Sequence, residues 1–350
     1  MKVTWLSVLC MSVVSSVAFA DSCAGRETQL QAISNDLGRN AVTTAESLLA
    51  PLEATYPDCS QLLLLRARIK AAHESSAEAQ DLFSRYLALT PDDPTGMAYF
   101  ARFLIDQEQY PQADELSASA LDRGPRNAAA LAVRGQILAM KRQPQMGLVL
   151  LNRSCDLDPN NADAQFQLGV LYDRAKRPAD AVKHFQRVVE LDPTDAPAWD
   201  YLALNLEPLG DEGRADADYK RGLAVDKQGQ HFDAFLDYNY GRFLAKRNQL
   251  VESKLHLDRA VDLVPDFRAT WYDRAKVNLR LGNYAQARTD AEKAASITTQ
   301  TGGIIDLQIY ALLEQVYRRL GETKLAERYA ALARQTPPPV PKGYGPPLSQ

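Results

Sequence analysis

Five prolines of this 350-residue chain, Pro57, Pro91, Pro125, Pro159 and Pro193, stand 34 residues apart. No other feature constrains the fold as strongly. A repeat of that length is one supersecondary unit that cannot bury its apolar face alone, so neighbouring units must stack. On this period the chain divides into nine units: 26–59, 60–93, 94–127, 128–161, 162–195, 196–229, 234–267, 268–301 and 307–340, with inserts at 230–233 and 302–306. Length alone would allow two separate cores. The period predicts one elongated solenoid, in which length measures surface.

The pattern inside a unit predicts its structure. In 162–195, Leu168, Gly169 and Tyr172 share one face of a first helix, and Ala181, Phe185 and Val188 share one face of a second. Lys176-Arg177-Pro178 separates the two, and Asp192-Pro193 ends the second, because the residue before a proline is pushed out of the helical region. Each unit is therefore a helical hairpin, and the fold class is all-α. Position 8 of the units reads Ile33, Ala67, Ala101, Gly135, Gly169, Ala203, Gly241, Ala275 and Glu314. Position 20 reads Ala45, Ala79, Ala113, Gly147, Ala181, Ala215, Ser253, Ala287 and Ala326. Small side chains here let the two helices of a hairpin cross closely. Trp199 and Trp271 at position 4, and Phe83, Phe185 and Tyr219 at position 24, are read as hairpin packing.

These residues resemble the tetratricopeptide repeat, whose pattern wants Trp, Leu, Gly, Tyr, Ala, Phe, Ala and Pro at positions 4, 7, 8, 11, 20, 24, 27 and 32 of the unit. The resemblance covers most of the chain and implies a right-handed superhelical solenoid of about nine hairpins. Ile33 and Glu314 depart from it only in the terminal units, where atypical caps are expected. Lys227 and Thr299 replace the position-32 proline beside the inserts. Longer or shifted helix ends are expected there, including a lengthened helix start over Gly302-Gly303-Ile304-Ile305-Asp306.

The resemblance also implies a function: binding a peptide or protein segment in a concave groove lined by the first helices, at positions 2, 5, 9 and 12. Those positions include Arg68, Arg102, Tyr238, Arg242, Tyr272, Lys276 and Gln315, with Asn239 beside them at position 6. One subgroup of the family grips a C-terminal carboxylate with Lys, Arg and Asn at positions 2, 5, 6 and 9. Asn239, Arg242 and Lys276 match it in part, but Tyr238 and Tyr272 stand where Lys is wanted and Asp273 would repel a carboxylate. The expectation is thus a looser groove of tyrosines and cations for an acidic or aromatic segment.

The first twenty residues carry Lys2, an apolar stretch from Trp5 to Val17 and a small-x-small end at Ala18-Phe19-Ala20. This is the pattern of a secretory signal peptide (1–20), followed by a lead segment, 21–25. It predicts an exported, periplasmic or secreted protein, with a bacterial envelope as the setting, and no membrane insertion after cleavage. Cleavage leaves Cys23, Cys59 and Cys155. Cys59 closes the first hairpin and Cys23 lies just before it, so both sit at one end of that hairpin and a disulfide between them is feasible. Cys155 falls on a second helix and is read as a free thiol. Residues 337–350 form a proline-rich tail that favours an extended conformation.

Catalytic signatures are missing: no GxGxxG after a strand, GxxxxGK[ST], HExxH or GxSxG occurs, and His73, His184, His231 and His256 lie in different units. No metal or cofactor is expected. The net charge of −4 argues against nucleic acid, whose phosphates demand a basic excess. The expectation is a non-enzymatic interaction scaffold for assembly of an envelope or secretion system. Its alternatives are a self-associating structural element, and thus a homo-oligomer, or an enzyme regulator acting through the groove.

Overall fold

The computed structural model describes residues 23–229, 234–299 and 301–336. The signal sequence, the 230–233 insert with its His231, and the proline tail lie outside the described residues. Among the described residues there is no strand. Eighteen helices follow one another as hairpins: α1 (Glu27–Gly38), α2 (Val42–Thr55), α3 (Ser60–Ala72), α4 (Ser76–Leu89), α5 (Pro94–Asp106), α6 (Tyr110–Arg123), α7 (Ala128–Met140), α8 (Pro144–Leu157) and α9 (Ala162–Arg174). The second half comprises α10 (Pro178–Leu191), α11 (Ala196–Leu206), α12 (Glu212–Gly229), α13 (Ala234–Lys246), α14 (Leu250–Leu263), α15 (Arg268–Leu281), α16 (Tyr284–Ser296), α17 (Asp306–Arg319) and α18 (Thr323–Gln335). Odd-numbered helices are the first helices of the hairpins.

Close approach within a hairpin is visible at the small residues. A Cβ added to Gly135 would stand 2.8 Å from Leu151 Cγ and 3.0 Å from the Gly147 carbonyl. One added to Gly147 would stand 2.7 Å from the Gly135 carbonyl. At Gly169 the obstacle is the Phe185 ring, at 2.6 Å. The aromatic residues at position 24 fill the space this creates: Phe83, Phe185 and Tyr219 are at most 1% exposed. The two tryptophans behave differently. Both are only half-buried, and their indole N–H groups donate to the Pro193 carbonyl (Trp199, 3.0 Å) and the Pro265 carbonyl (Trp271, 2.7 Å). They brace the inter-repeat turn as well as the hairpin.

The turns repeat as faithfully as the helices. Asn40, Glu74, Glu108, Arg142, Lys176, Gly210, Asn248, Gly282 and Gly321 all have positive φ, and each occupies position 15 of its unit. The amide after each reaches back to the carbonyl five residues earlier, as Arg177 does to Tyr172 at 2.9 Å. This left-handed cap satisfies the end of the first helix and reverses the chain. The next first helix is started by an N-cap: Asp93, Asn127, Asn161 and Asp195 accept amides of their own first turns.

The inserts act in opposite ways. Without a proline at Lys227, α12 runs for 18 residues against the 13 or 14 of most other helices. The second insert does not lengthen a helix start, contrary to expectation. Gly302 and Gly303 have φ of 67° and 71° and sit in a 3-10 turn, so α17 begins only at Asp306. A Cβ on Gly302 would lie 2.3 Å from that of Ala269, so this turn is packed onto α15. Arg268, 1% exposed, locks it by donating to the Ala294 and Ile304 carbonyls at 3.0 and 3.3 Å and to Asp306.

At the N-terminal end, Cys23 and Cys59 are joined by a disulfide, with Cα atoms 5.1 Å apart. It ties the start of α1 to the start of α3. Cys155 is a half-buried free thiol, pushed up to about 11 by burial and by Asp156 and Asp158.

Candidate functional site: the concave groove

A cavity of about 730 Å³ opens on the inner side of the first five hairpins. Its wall is built from first helices and from turns between units. The helices α1, α3, α5, α7 and α9 supply Asn35, Arg68, Tyr99, Arg102, Gln136 and Gln167, among others. The turns supply Asp158, Asn160, Asp192 and Asp195. The space exists because position 2 or 5 carries alanine here, as at Ala98, Ala129 and Ala132. In the seventh and eighth hairpins, position 5 carries Tyr238 and Tyr272 instead.

Two of the sequence-predicted groove residues line this cavity. Arg68 lies flat over the Tyr99 ring, its guanidinium carbon 4.0 Å from the centroid, and donates to the Ser34 hydroxyl at 2.8 Å. Arg102 reaches across the groove from the third hairpin to the fifth, pairing with Asp163 at 2.9 Å, and also meets Asp106 at 3.4 Å. Asp163 raises the Arg102 guanidinium above its already high value, whereas burial pushes the Asp106 carboxyl up against the pull of Arg102.

The other six are placed elsewhere. Tyr238 is 7% exposed and its hydroxyl donates to Asp273 at 3.1 Å. Arg242 and Lys276 turn to the same carboxylate, at 3.8 and 3.3 Å. Asn239 donates to both oxygens of Asp200, at 3.2 and 2.9 Å. Lys276 also stands over the Tyr272 ring, 5.2 Å from its centroid. Gln315 is exposed on α17. The chain thus gathers the predicted tyrosines and cations, but around its own Asp273. A carboxylate already occupies the place that a ligand's acid would take.

Sequence reasoning missed the acidic side of the cavity. Asp158, Asp192 and Asp195 come from the inter-repeat turns, outside the helix positions from which groove residues were drawn. Their hydrogen-bond donors are the Asn160, Thr194 and Ala198 amides and the Thr194 hydroxyl. Burial raises the Asp195 carboxyl from 3.8 to about 6, opposed by the Ala198 amide and reinforced by Asp192 and Asp163. No group of three or more metal-ligating side chains occurs among the described residues. No described helix is long and apolar enough to cross a membrane.

The comparisons agree with this geometry. Residues 162–195 and 241–300 match the tetratricopeptide repeat family. Curated protein sequences yield no match. Among solved structures, the APC/C hetero-tetramer Cut9-Hcn1 superposes with a TM-score of 0.62 at 16% identity, over 84% of this chain and 56% of that one. The human IFIT1 dimer with PPP-AAAA gives 0.52 at 18% identity, over 85% of this chain and 69% of that one. This chain therefore spans little more than half the length of the first of these proteins, and at such identities the likeness is one of fold. The chain is an all-α solenoid of tetratricopeptide-type hairpins, with the repeat itself detected at 162–195 and 241–300.

Proposed function

We propose that this protein is an exported, non-enzymatic scaffold that holds an extended polypeptide segment in the concave cavity of its first five hairpins. The observation that carries the reading is the cavity itself, about 730 Å³ bounded by first helices and lined by carboxamides and charges. A polypeptide has backbone groups to be met along its whole length, and Asn35, Gln136, Asn160 and Gln167 supply donors and acceptors. Solenoids present such extended concave surfaces to partners. Export is supported by the N-terminal signal pattern and by a disulfide that persists in oxidising compartments. The expected setting is the periplasm or cell exterior of a bacterium, where the scaffold would organise an envelope or secretion assembly.

The test is selection of random dodecamer peptides displayed on phage against the full mature chain. Recovered peptides should bind wild type and fail on Gln136→Trp and Gln167→Trp, which fill the cavity from α7 and α9. Equal binding to both variants refutes the cavity as the site. Export is checked separately by N-terminal sequencing of the mature protein, which should begin at Asp21.

A further inference from the structure

The charges of the cavity are segregated, and each end has unspent capacity. On one side stands Arg68. Its partners are the neutral Ser34 hydroxyl and the Tyr99 ring, and among the described residues no carboxylate lies within ion-pair distance of it. In the middle, Arg102 and Asp163 cancel each other. On the other side stand Asp158, Asp192 and Asp195, none with a cation in ion-pair range among the described residues.

Asp192 is the most telling of the three. It is only 8% exposed, yet it lines the cavity. Its Oδ1 takes the Thr194 amide at 2.9 Å and the Thr194 hydroxyl at 2.6 Å. Its Oδ2 has no hydrogen-bond partner among the described residues. That free oxygen borders the cavity, where a ligand's cation or donor can reach it. Here the neighbours, Asp195 and Asp163, are like-charged, and Asp195 titrates upward in consequence of burial and of that company. The chain supplies no compensating charge, and the space beside these groups is open.

We infer that the segment held in the groove is two-ended: a lysine or arginine side chain seats at the Asp158–Asp192–Asp195 corner, and an aspartate or glutamate side chain pairs with Arg68. This rests on the groove reading above and specifies its ligand. Arg68 is suited to its part because the Tyr99 ring supports its guanidinium, whose carbon stands 4.0 Å from the centroid, and Ser34 engages only Nη1, which leaves further N–H donors for a carboxylate. The two ends would fix the direction in which the segment runs, since opposed charges set register.

The probe is a fluorescein-labelled dodecamer recovered from the display selection, read by fluorescence anisotropy against the full mature chain. The recovered peptides should carry both a basic and an acidic residue. Neutralising either in the peptide, Lys→Gln or Glu→Gln, should weaken Kd by tenfold or more. In the protein, Asp192→Asn with Asp195→Asn should cost a similar factor, and so should Arg68→Gln. Asn is as good an N-cap as Asp, so the Asp195 substitution preserves the start of α11; melting curves of all variants verify folding. The decisive reading is coupling. The lysine-neutralised peptide should lose nothing further on the double Asp variant, and the acid-neutralised peptide nothing further on Arg68→Gln. Recovery of no binding peptide overturns the groove reading, and this inference with it. Peptides that fail on Gln136→Trp but ignore every charge change leave the groove reading standing and overturn this one. Coupling at only one end also overturns it, because the claim is of two.

Discussion

Removing the disulfide should melt one hairpin and leave the stacking of the other eight untouched; Cys23→Ser with Cys59→Ser is the variant. The bridge joins residues separated by 36 in sequence. In the chain-entropy treatment a loop of that size is worth about 4 kcal/mol. The hairpin it secures is poor on local grounds. Neither α1 nor α2 has a side-chain N-cap bond, and Pro51 lies inside α2, where it removes a backbone donor. Its apolar core is Leu30, Ile33, Ala45 and Leu49, packed towards Leu62, Leu65 and Ile69 of α3. Stability in a solenoid is close to a sum of unit and nearest-neighbour terms. A loss of about 4 kcal/mol at the end unit should therefore open that unit without unfolding its successors. Hydrogen exchange followed by mass spectrometry is the assay. Amides of α1 and α2 should lose on the order of a hundredfold or more of their protection, while those from α5 onward should change little. Because α1 supplies Gln31 and Asn35 to the groove wall, affinity for a groove peptide should fall in the same variant. Unchanged protection in α1 and α2 would refute the entropic argument. Loss of protection along the whole chain would refute the nearest-neighbour premise.

Further outcomes follow from particular residues. At position 15 a non-glycine residue held at positive φ is strained by about 1–2 kcal/mol, partly offset by the greater unfolded-state freedom of glycine. Glu74→Gly and Lys176→Gly, both at exposed turn positions, should each raise the denaturation midpoint, by up to about 1 kcal/mol in stability; a fall would deny the strain. Gly147→Val drives a side chain against the Gly135 carbonyl and should destabilise by about 1–3 kcal/mol or more, seen in thermal melts as an early transition. Asp195 has a raised carboxyl in the folded chain, so folding takes up a proton between roughly pH 4 and 6, and its contribution to stability is lost as pH rises through that window. Asp195→Asn should therefore stabilise the chain at pH 7, by at most about 3 kcal/mol, and flatten the stability–pH curve between pH 4 and 6. The Cys155 thiol, pushed up to about 11, should resist iodoacetamide at pH 8 in the native chain and react on unfolding; rapid native alkylation would contradict its burial.

The hairpins were legible because their determinants are local and periodic. Small residues at positions 8 and 20 and a proline at position 32 each answer to one steric demand, and that demand recurs in every unit. The left-handed turn was equally periodic but less visible. Gly210, Gly282, Gly321, Asn40 and Asn248 show it at position 15, whereas Glu74, Glu108, Arg142 and Lys176 conceal it, since stacking forces them into a conformation their own chemistry disfavours. The second insert was misread for a related reason. The pattern suggests a lengthened helix start over Gly302–Asp306, but Gly302 is needed where the backbone meets Ala269, and Arg268 holds the turn shut through carbonyls that no sequence pattern reports.

The groove was half legible, and the missing half has one physical cause. Position in a repeat predicts which way a side chain points, and in that sense Arg68, Arg102, Tyr238 and Tyr272 are equivalent. It does not predict whether the pointing side chain finds a partner from its own chain. Arg242 and Lys276 find Asp273, so their charge is spent within the fold. Arg68 finds only a hydroxyl and an aromatic face, so its charge is available. Nor does a rule about helix positions see the turns, which supply Asp158, Asp192 and Asp195 only because the solenoid curves and brings inter-repeat loops to the rim of the same cavity. Room also depends on residue size: Ala98 and Ala132 at position 5 of the third and fourth hairpins leave space, whereas Leu30, Leu64 and Phe166 hold that position in the other three hairpins around the cavity. The proposed groove lies where small residues at position 5 of the third and fourth hairpins coincide with charges the fold has not itself neutralised. Exchanging Ala132 for Tyr tests it, since that change should close the cavity and abolish peptide binding while α7 keeps its place between α6 and α8; persistence of binding would show that room at position 5 does not decide the site.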